Sequence, residues 1–161
     1  CTVMGGDFAH RWGQTKDHVL AMKALWSGEY VEYHGKYIDF PPVVCRPRPT
    51  RQPHPPIYLG SIGSPRVFKR VAEWGDGWLP FSVDPQEIAD GKAEIIRYAQ
   101  EFGRSPESFD ITLFAPEGFF RKPGELADIA KAGANNVVLW IKGDTEDEVL
   151  EDLEQIASAV F

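Results

Sequence analysis

The sequence is poor in cysteine, and its two cysteines are far apart. Cys1 and Cys45 are too few for a disulfide framework, and no Cys/His spacing of the kind that holds a metal surrounds them. We therefore predict that the protein has no metal site and works in the reducing cytoplasm.

Positive charge and long apolar runs are also scarce. Acidic residues number 24 against 17 lysines and arginines, for a net charge of −7. Nucleic acid and anionic lipid attract clustered positive charge, so neither is an expected partner. No stretch approaches the roughly 18 apolar residues of a membrane helix, and the N-terminus has no basic start or apolar signal core. A small-molecule substrate is the predicted partner.

The composition is typical of a globular domain. The chain has 161 residues, of which 43% are hydrophobic and 25% charged. This length allows one domain with a sizeable core, and we predict a single domain over residues 1–161. The first residue is Cys rather than Met, so we expect the sequence to begin inside a longer protein.

The first third predicts a helix, a hairpin and a surface connection. Apolar residues recur at three- and four-residue steps from Ala9 to Trp26, as in an amphipathic helix. Two aromatic-rich runs between Tyr30 and Phe40 flank His34-Gly35, which predicts a hairpin. The segment from Pro41 to Pro56 holds seven prolines, which exclude a helix or a central strand. Residues 28–56 thus form a hairpin and proline-rich insertion within the domain.

The remainder alternates short apolar runs with helical patterns, which predicts four consecutive βα units in an α/β fold. The predicted strands are Ile57–Leu59, Gly77–Phe81, Ile111–Phe114 and Val137–Ile141. The predicted helices are Pro65–Trp74, Pro85–Phe102, Gly124–Ala132 and Thr145–Val160. The pattern fits either an open doubly wound sheet or a (β/α)8 barrel. A complete barrel needs about 250 residues, so four strands would make half of one.

The loop Gly60-Ser61-Ile62-Gly63-Ser64 joins the first of these strands to a helix that starts at Pro65. A strand, a Gly-Ser turn and a helix N-terminus aim unpaired backbone N–H groups into one concavity, which favours an anion. The serine hydroxyls, and the charge of Arg66, can add to the binding of a phosphate. The alternative is an ordinary helix start with Ser64 as the N-cap. The Gly-Lys-Ser/Thr ending of ATP-binding loops is missing, which argues against an ATP site.

Several further stretches occur in a characteristic order and spacing. They are Tyr33–Phe40, Arg46–Pro49, Gln52–Gly60, Ala72–Trp78, Phe102–Arg104 and Ala132–Trp140. Together they resemble the luciferase-like oxidoreductases, and most closely the group expected to use the deazaflavin coenzyme F420. The likeness covers nearly the whole chain.

This resemblance implies a partial (β/α)8 barrel that contains strands five to eight, preceded by a helix and a small hairpin insertion. It implies hydride transfer between an organic substrate and coenzyme F420, with FMN and monooxygenation as the alternative. It places the cofactor phosphate on Gly60, Ser61, Ile62, Gly63 and Ser64, and the ring near Pro80 and Phe81. Strands one to four, which carry most residues proposed for the chemistry in this family, have no counterpart here, so no catalytic residue is predicted. A non-catalytic half barrel is therefore the alternative of another class.

Other residues have both a functional and a structural interpretation. Trp78 either lines the cofactor ring or packs in the core. His34 and His54 titrate near neutral pH, but the sequence indicates no carboxylate partner for either, which favours structural roles. The cluster of Arg46, Arg48 and Arg51 either contacts the acidic cofactor tail or keeps the loop soluble. Four strands cut from a barrel leave two unpaired edges, which predicts a homodimer or larger assembly.

Overall fold

The computed structural model describes residue 3 and residues 6–81, 84–116, 118–120 and 122–160. The chain falls into two compact units, Cys1–Pro56 and Ile57–Phe161. Each unit has its own secondary structure, and the prediction of a single domain stays a prediction.

The first unit contains a helix and a hairpin. Helix α1 covers Arg11–Ser27, and strands β1 (Val31–His34) and β2 (Asp39–Val43) pair antiparallel. Both predicted elements are confirmed. Strand β2 continues through Pro41 and Pro42, into the segment expected to be an irregular connection. A two-stranded ribbon has only edge strands, and an edge tolerates the missing N–H groups of proline.

A buried carboxylate joins α1 to this hairpin. Asp17 accepts hydrogen bonds from the Tyr33 hydroxyl at 2.8 Å and from the N–H groups of Tyr37 at 2.6 Å and Ile38 at 2.9 Å. The bond from the Tyr37 N–H is the main reason why the pKa of Asp17 lies below its usual value. Burial, helped by the Asp17 carboxylate, raises the pKa of Tyr33 to about 12. A Cβ atom on Gly35 would overlap the Asp17 carboxylate, so this turn position requires glycine.

The second unit consists of four strand–helix units in sequence. Its strands are β3 (Tyr58–Gly60), β4 (Gly77–Leu79), β5 (Asp110–Ala115) and β6 (Asn136–Leu139). Its helices are α2 (Pro65–Trp74), α3 (Pro85–Glu101), α4 (Glu125–Ala132) and α5 (Glu146–Val160). All neighbouring strands pair parallel, in the order β3-β4-β5-β6. A doubly wound sheet reverses its strand order, whereas this sheet is wound in one direction, as part of a barrel would be.

Helices α2 and α3 begin at the predicted residues, Pro65 and Pro85. Ser64 precedes Pro65, Asp84 precedes Pro85, and both side chains accept a backbone N–H in the first turn. At α5 the Thr145 hydroxyl accepts from the Glu148 N–H, and the Glu148 carboxylate accepts from the Thr145 N–H. No helix in the described part of the chain is long and apolar enough to cross a bilayer.

Alternate side chains of the sheet face the helices. Leu59, Trp78 and Ile111 are in register on adjacent strands and are all buried. Trp78 meets α2 at Phe68 and α3 at Gly91. The helix layer therefore covers this face of the sheet. The strands begin together at one edge, the N-terminal edge, and end together at the other, the C-terminal edge.

Side chains saturate the N-terminal edge. Asp76 accepts from the Ile57 N–H at 2.8 Å, and Asn135 accepts from the Ile111 N–H at 2.9 Å. Each of these side chains stands just before a strand and satisfies the first donors of its neighbour. The Arg104 guanidinium donates to the carbonyls of three residues that end α2 and lies 3.6 Å from the Asp76 carboxylate. This network fixes the start of three strands.

Candidate functional site

The loop from Gly60 to Ser64 lies at the C-terminal edge of the sheet, between β3 and α2. The Ser61 N–H donates to the Leu79 carbonyl at 3.2 Å, which ties the loop to the neighbouring strand. At its other end, Ser64 caps α2, and its Oγ accepts from the Val67 N–H at 3.4 Å. The loop is therefore held at both ends.

Between these two attachments the loop presents open donors. The N–H groups of Ile62, Gly63 and Ser64 donate to no acceptor among the residues that the structure describes. They stand in front of the first turn of α2, where the helix dipole adds partial positive charge. Arg66 follows on that first turn and is exposed. Consecutive open donors at a helix start are suited to the oxygens of a phosphate or carboxylate.

The two glycines of the loop have different structural roles. A Cβ atom on Gly63 would lie 2.8 Å from Cζ of Phe68 and 3.3 Å from Cζ2 of Trp78, too close for an unstrained side chain. A Cβ atom on Gly60 would have no neighbour nearer than 3.7 Å. Neither glycine is among those with a positive φ. Close approach of aromatic rings, and not backbone conformation, therefore explains Gly63.

Beneath the loop, Trp78 is almost completely buried, with 1% of its surface exposed. Its indole Nε1–H donates to the Ser61 carbonyl at 3.1 Å. Its ring meets Phe68 edge to face, with centroids 5.1 Å apart. Trp78 is therefore mainly a packing residue between the sheet and the helices, and only a small part of its surface borders the cleft beside the loop.

Ser61 carries a buried hydroxyl that has no partner among the residues that the structure describes. Its Oγ is inaccessible to solvent and forms no hydrogen bond with any of them. Buried polar atoms are nearly always paired, so an orphaned hydroxyl inside a donor-rich loop is a feature to explain. This hydroxyl is itself out of reach of an anion, so the accessible donors of the loop are its open N–H groups and not Ser61 Oγ.

A cleft of about 590 Å³ opens beside the loop, between α2 and α3. Its floor is apolar and aromatic, and three carboxylates of α3 stand along it. The lining residues are Ile62, Gly63, Ser64, Pro65, Phe68, Trp78, Phe81, Glu87, Asp90, Gly91 and Glu94.

The predicted site residues are only partly brought together in this cleft. Ile62 and Phe81 line it and are 81% and 54% exposed, which leaves both available for contact with a ligand. Pro80 is fully buried and does not line the cleft. The carboxylates of Glu87, Asp90 and Glu94 would repel an anion inside the cleft, so the loop above it is the better anion site.

The face of the sheet opposite the helices carries polar and aromatic pairs that the sequence did not single out. The Tyr58 hydroxyl donates to the Asp110 carboxylate at 2.9 Å. Near the C-terminal edge, Phe114 and Trp140 pack edge to face with centroids 6.2 Å apart, and Trp140 is half-exposed. Phe114 pairs with Val138 of β6, and Trp140 follows two residues later, one residue beyond the end of that strand. The alternation of side chains along one strand does not reveal which strands are neighbours, so this contact could not be predicted from the sequence.

In the first unit, the prediction that His34 has no carboxylate partner is wrong. The sequence indicated no carboxylate partner, but Nδ1 of His34 lies 2.5 Å from the Asp39 carboxylate and Nε2 lies 3.8 Å from Glu32. The hairpin register makes His34 and Asp39 cross-strand neighbours, and the hydrogen bond between them raises the pKa of His34. His54 bonds the Pro55 carbonyl.

The arginine cluster has one ion pair of its own. Nη2 of Arg48 lies 3.0 Å from the Glu29 carboxylate, within the first unit. Arg48, one of the three arginines considered for contact with the acidic cofactor tail, is therefore already paired with a carboxylate. Arg46 and Arg51 have no ion pair within the part of the chain that the structure describes.

Comparison with known proteins identifies the family. A sequence profile described as luciferase-like monooxygenase matches residues 1–117. This chain belongs to the luciferase-like monooxygenase family. The resemblance predicted from the sequence motifs is confirmed.

Curated relatives of this luciferase-like chain include both uncharacterized and characterized proteins. An uncharacterized protein of Mycobacterium tuberculosis is 32% identical over 117 residues, which cover 73% of this chain and 39% of the relative. Another, from Mycobacterium bovis, is 26% identical over 145 residues, covering 89% and 49%. The F420-dependent hydroxymycolic acid dehydrogenase of M. tuberculosis is 26% identical over 136 residues, covering 82% and 36%. The chain thus spans less than half the length of these relatives.

Solved structures share the luciferase-like fold. The monooxygenase RslO1 of Streptomyces bottropensis superposes with a TM-score of 0.73 at 18% identity, over 98% of this chain and 63% of that one. The coenzyme F420-dependent tetrahydromethanopterin reductase of Methanopyrus kandleri gives 0.64 at 16% identity, over 89% and 60%. At such identities the likeness concerns the fold, and it agrees with the singly wound parallel sheet.

Proposed function

We propose that this chain supplies the phosphate-binding part of the cofactor site in a coenzyme F420-dependent oxidoreductase. The observation that carries the proposal is the row of three open N–H groups at Ile62, Gly63 and Ser64, at the edge of the sheet where barrel enzymes build their sites. The same edge carries the orphaned Ser61 hydroxyl.

The residues of the loop would hold the cofactor by its phosphate. The open N–H groups would donate to the phosphate oxygens, and the Ser64 hydroxyl has an O–H left to donate while its oxygen caps α2. Phe81 would pack against the ring system and keep water from it. Bound coenzyme F420 supplies the hydride chemistry, while the protein positions the ring against the substrate.

The choice of coenzyme F420 over FMN rests on relatives. Two of the similar proteins are described as F420-dependent, the mycobacterial hydroxymycolic acid dehydrogenase and the tetrahydromethanopterin reductase. FMN is the alternative, with monooxygenation as its reaction, because another similar protein is described as a monooxygenase. The loop from Gly60 to Ser64, called the anion loop below, suits the phosphate of either cofactor.

We also propose that the second unit corresponds to strands five to eight of the barrel. Four sequential parallel strands with helices packed on one face support this assignment. The substrate would be a small organic molecule, and the protein would work in the cytoplasm as a homodimer or larger assembly. In that assembly the free edge of β6 would pair with β3 of a second copy. The alternative function is that of a half barrel that assembles without catalysis.

Titration of the purified chain tests the cofactor proposal. We expect coenzyme F420 or FMN to change its fluorescence and absorbance on binding, and we expect FMN to bind at least about tenfold more tightly than riboflavin, which lacks the phosphate. Equal binding of FMN and riboflavin, or binding of neither FMN nor F420, would refute the phosphate role of the loop.

Light scattering tests the assembly proposal separately. We expect a mass of at least twice that of the 18.1 kDa chain. A monodisperse monomer would contradict the assembly without affecting the cofactor titration.

A further inference from the structure

We infer that Trp78 is a positioning residue that holds the anion loop in its binding conformation, an inference that rests on the proposed function. Trp78 packs against the loop and is almost completely buried, so only the 1% of its surface that is exposed can border the cleft. It therefore acts on a ligand through the loop that it supports.

The first step is a hydrogen bond that orients one peptide group. The Trp78 Nε1–H donates to the Ser61 carbonyl at 3.1 Å. In a trans peptide the carbonyl and the following N–H point in opposite directions, and the Ser61–Ile62 peptide is not among the cis bonds. Because the Ser61 carbonyl points down to the indole, the Ile62 N–H points up and away from it. The bond thus aims the first of the three open donors outward.

The second step is steric. A Cβ atom on Gly63 would lie 3.3 Å from the Trp78 ring, and one on Gly91 of α3 would lie 2.3 Å from it. The ring is therefore wedged between the loop and α3, with Phe68 against it edge to face. A ring fixed on three sides cannot tilt to follow a displaced loop.

Moving the loop away from Trp78 would be energetically unfavourable. If the Ser61 carbonyl moved away, the buried indole N–H would lose its acceptor in a place that water does not reach. The loop conformation with outward donors is consequently the one that keeps the buried indole N–H paired. We expect the loop to be preorganised, so that an anion binds without ordering it.

The substitution Trp78→Phe tests the inference, since it removes the N–H and retains an aromatic ring. We expect the preference for FMN over riboflavin to fall about tenfold relative to the unmodified chain. Without any ligand, the Ser61 amide, which is bonded to the Leu79 carbonyl, should exchange with deuterium faster, while the amides of β5 stay protected. Trp74→Phe is the matched control. It removes another buried indole N–H at the far end of α2, and it should leave both readouts unchanged.

The outcomes separate the inference from the proposed function. If the unmodified chain prefers FMN and Trp78→Phe keeps that preference in full, the positioning role is wrong and the phosphate site stands. If FMN and riboflavin bind the unmodified chain equally, or if neither FMN nor coenzyme F420 binds it, both fall. Should Trp78→Phe not fold, benzothiophene in place of the indole keeps the ring shape without the N–H. The same losses are expected, and unchanged exchange of the Ser61 amide would overturn the inference.

Discussion

The two edges of the parallel sheet differ in whether their backbone polar groups have hydrogen-bond partners within the protein. At the N-terminal edge, Asp76, Asn135 and Arg104 satisfy backbone donors and acceptors from within the protein. At the C-terminal edge, the N–H groups of Ile62, Gly63 and Ser64 have no acceptor in the described structure. Saturated polar groups stabilise the fold, whereas unsaturated ones are available to a ligand. The comparison therefore separates residues needed for stability from residues needed for binding.

The largest expected effect is at the saturated edge. Arg104→Met retains an aliphatic side chain over Phe109 but removes every bond to the end of α2 and to Asp76. We expect the free energy of unfolding to fall by about 2–4 kcal/mol, measured by urea denaturation, with the FMN preference of the remaining folded protein unchanged.

Arg97→Met is the control for this substitution, because Arg97 pairs with Glu94 and Glu101 on an exposed surface of α3. Exposed pairs contribute little, so its stability should hardly change. If both substitutions lower the free energy of unfolding equally, the hydrogen bonds at the N-terminal edge contribute no more to stability than an exposed ion pair does.

The next largest effect is at Gly63. Gly63→Ala drives a methyl group into Phe68 and Trp78, and we expect a loss of about 1–3 kcal/mol in unfolding free energy together with weaker FMN binding. Gly60→Ala is the matched control, since its new methyl group meets no atom within 3.7 Å. If Gly60→Ala is as damaging as Gly63→Ala, ring contact is not what fixes this loop.

A smaller effect is expected at the helix caps. Ser64→Ala and Asp84→Ala each remove a side chain that accepts an N–H in the first turn of a helix, and each should cost about 1 kcal/mol in thermal or urea unfolding. Only Ser64→Ala should also weaken FMN relative to riboflavin, because only Ser64 belongs to the loop. Equal FMN preference in both variants would argue that the Ser64 hydroxyl serves α2 alone.

The smallest effect is expected at the exposed His34–Asp39 pair, which lies on the hairpin and not on the parallel sheet. The Asp39 hydrogen bond raises the pKa of His34, so its contribution to stability is present below the unfolded value and is lost as the pH rises through the folded value. NMR titration should give a His34 pKa above 6.5, and Asp39→Asn should return it toward that value. An unshifted His34 pKa in the original chain would mean that the pair does not form in solution.

Much of the second unit could be predicted from sequence because its signals are local. The Ser64-Pro65 and Asp84-Pro85 pairs mark helix starts by their own chemistry, and the predicted starts of these helices at Pro65 and Pro85 are confirmed. Strand ends were less accurate. Strand β4 was predicted to reach Phe81 but ends at Leu79, because Pro80 cannot donate a ladder hydrogen bond.

The site was harder to predict because its contacts come from separate elements. The family resemblance assigned Gly60 and Gly63 the same role, and only the packing of Phe68 and Trp78 distinguishes the two glycines. The support from Trp78 needs a loop, a strand and two helices to meet, which no local pattern encodes. Similarly, the partner of His34 follows from hairpin register, since Asp39 lies five residues away along the chain.

Gly91 has a consequence for attempts to engineer this protein. It lies inside α3, where glycine costs a helix roughly 1 kcal/mol relative to alanine, so rules based on helix propensity favour its replacement. An alanine there would place its Cβ 2.3 Å from the Trp78 ring that supports the loop, and this overlap outweighs the gain in helix propensity. Helix optimisation at this position would therefore lower both stability and ligand binding, and α3 should be redesigned with Gly91 retained.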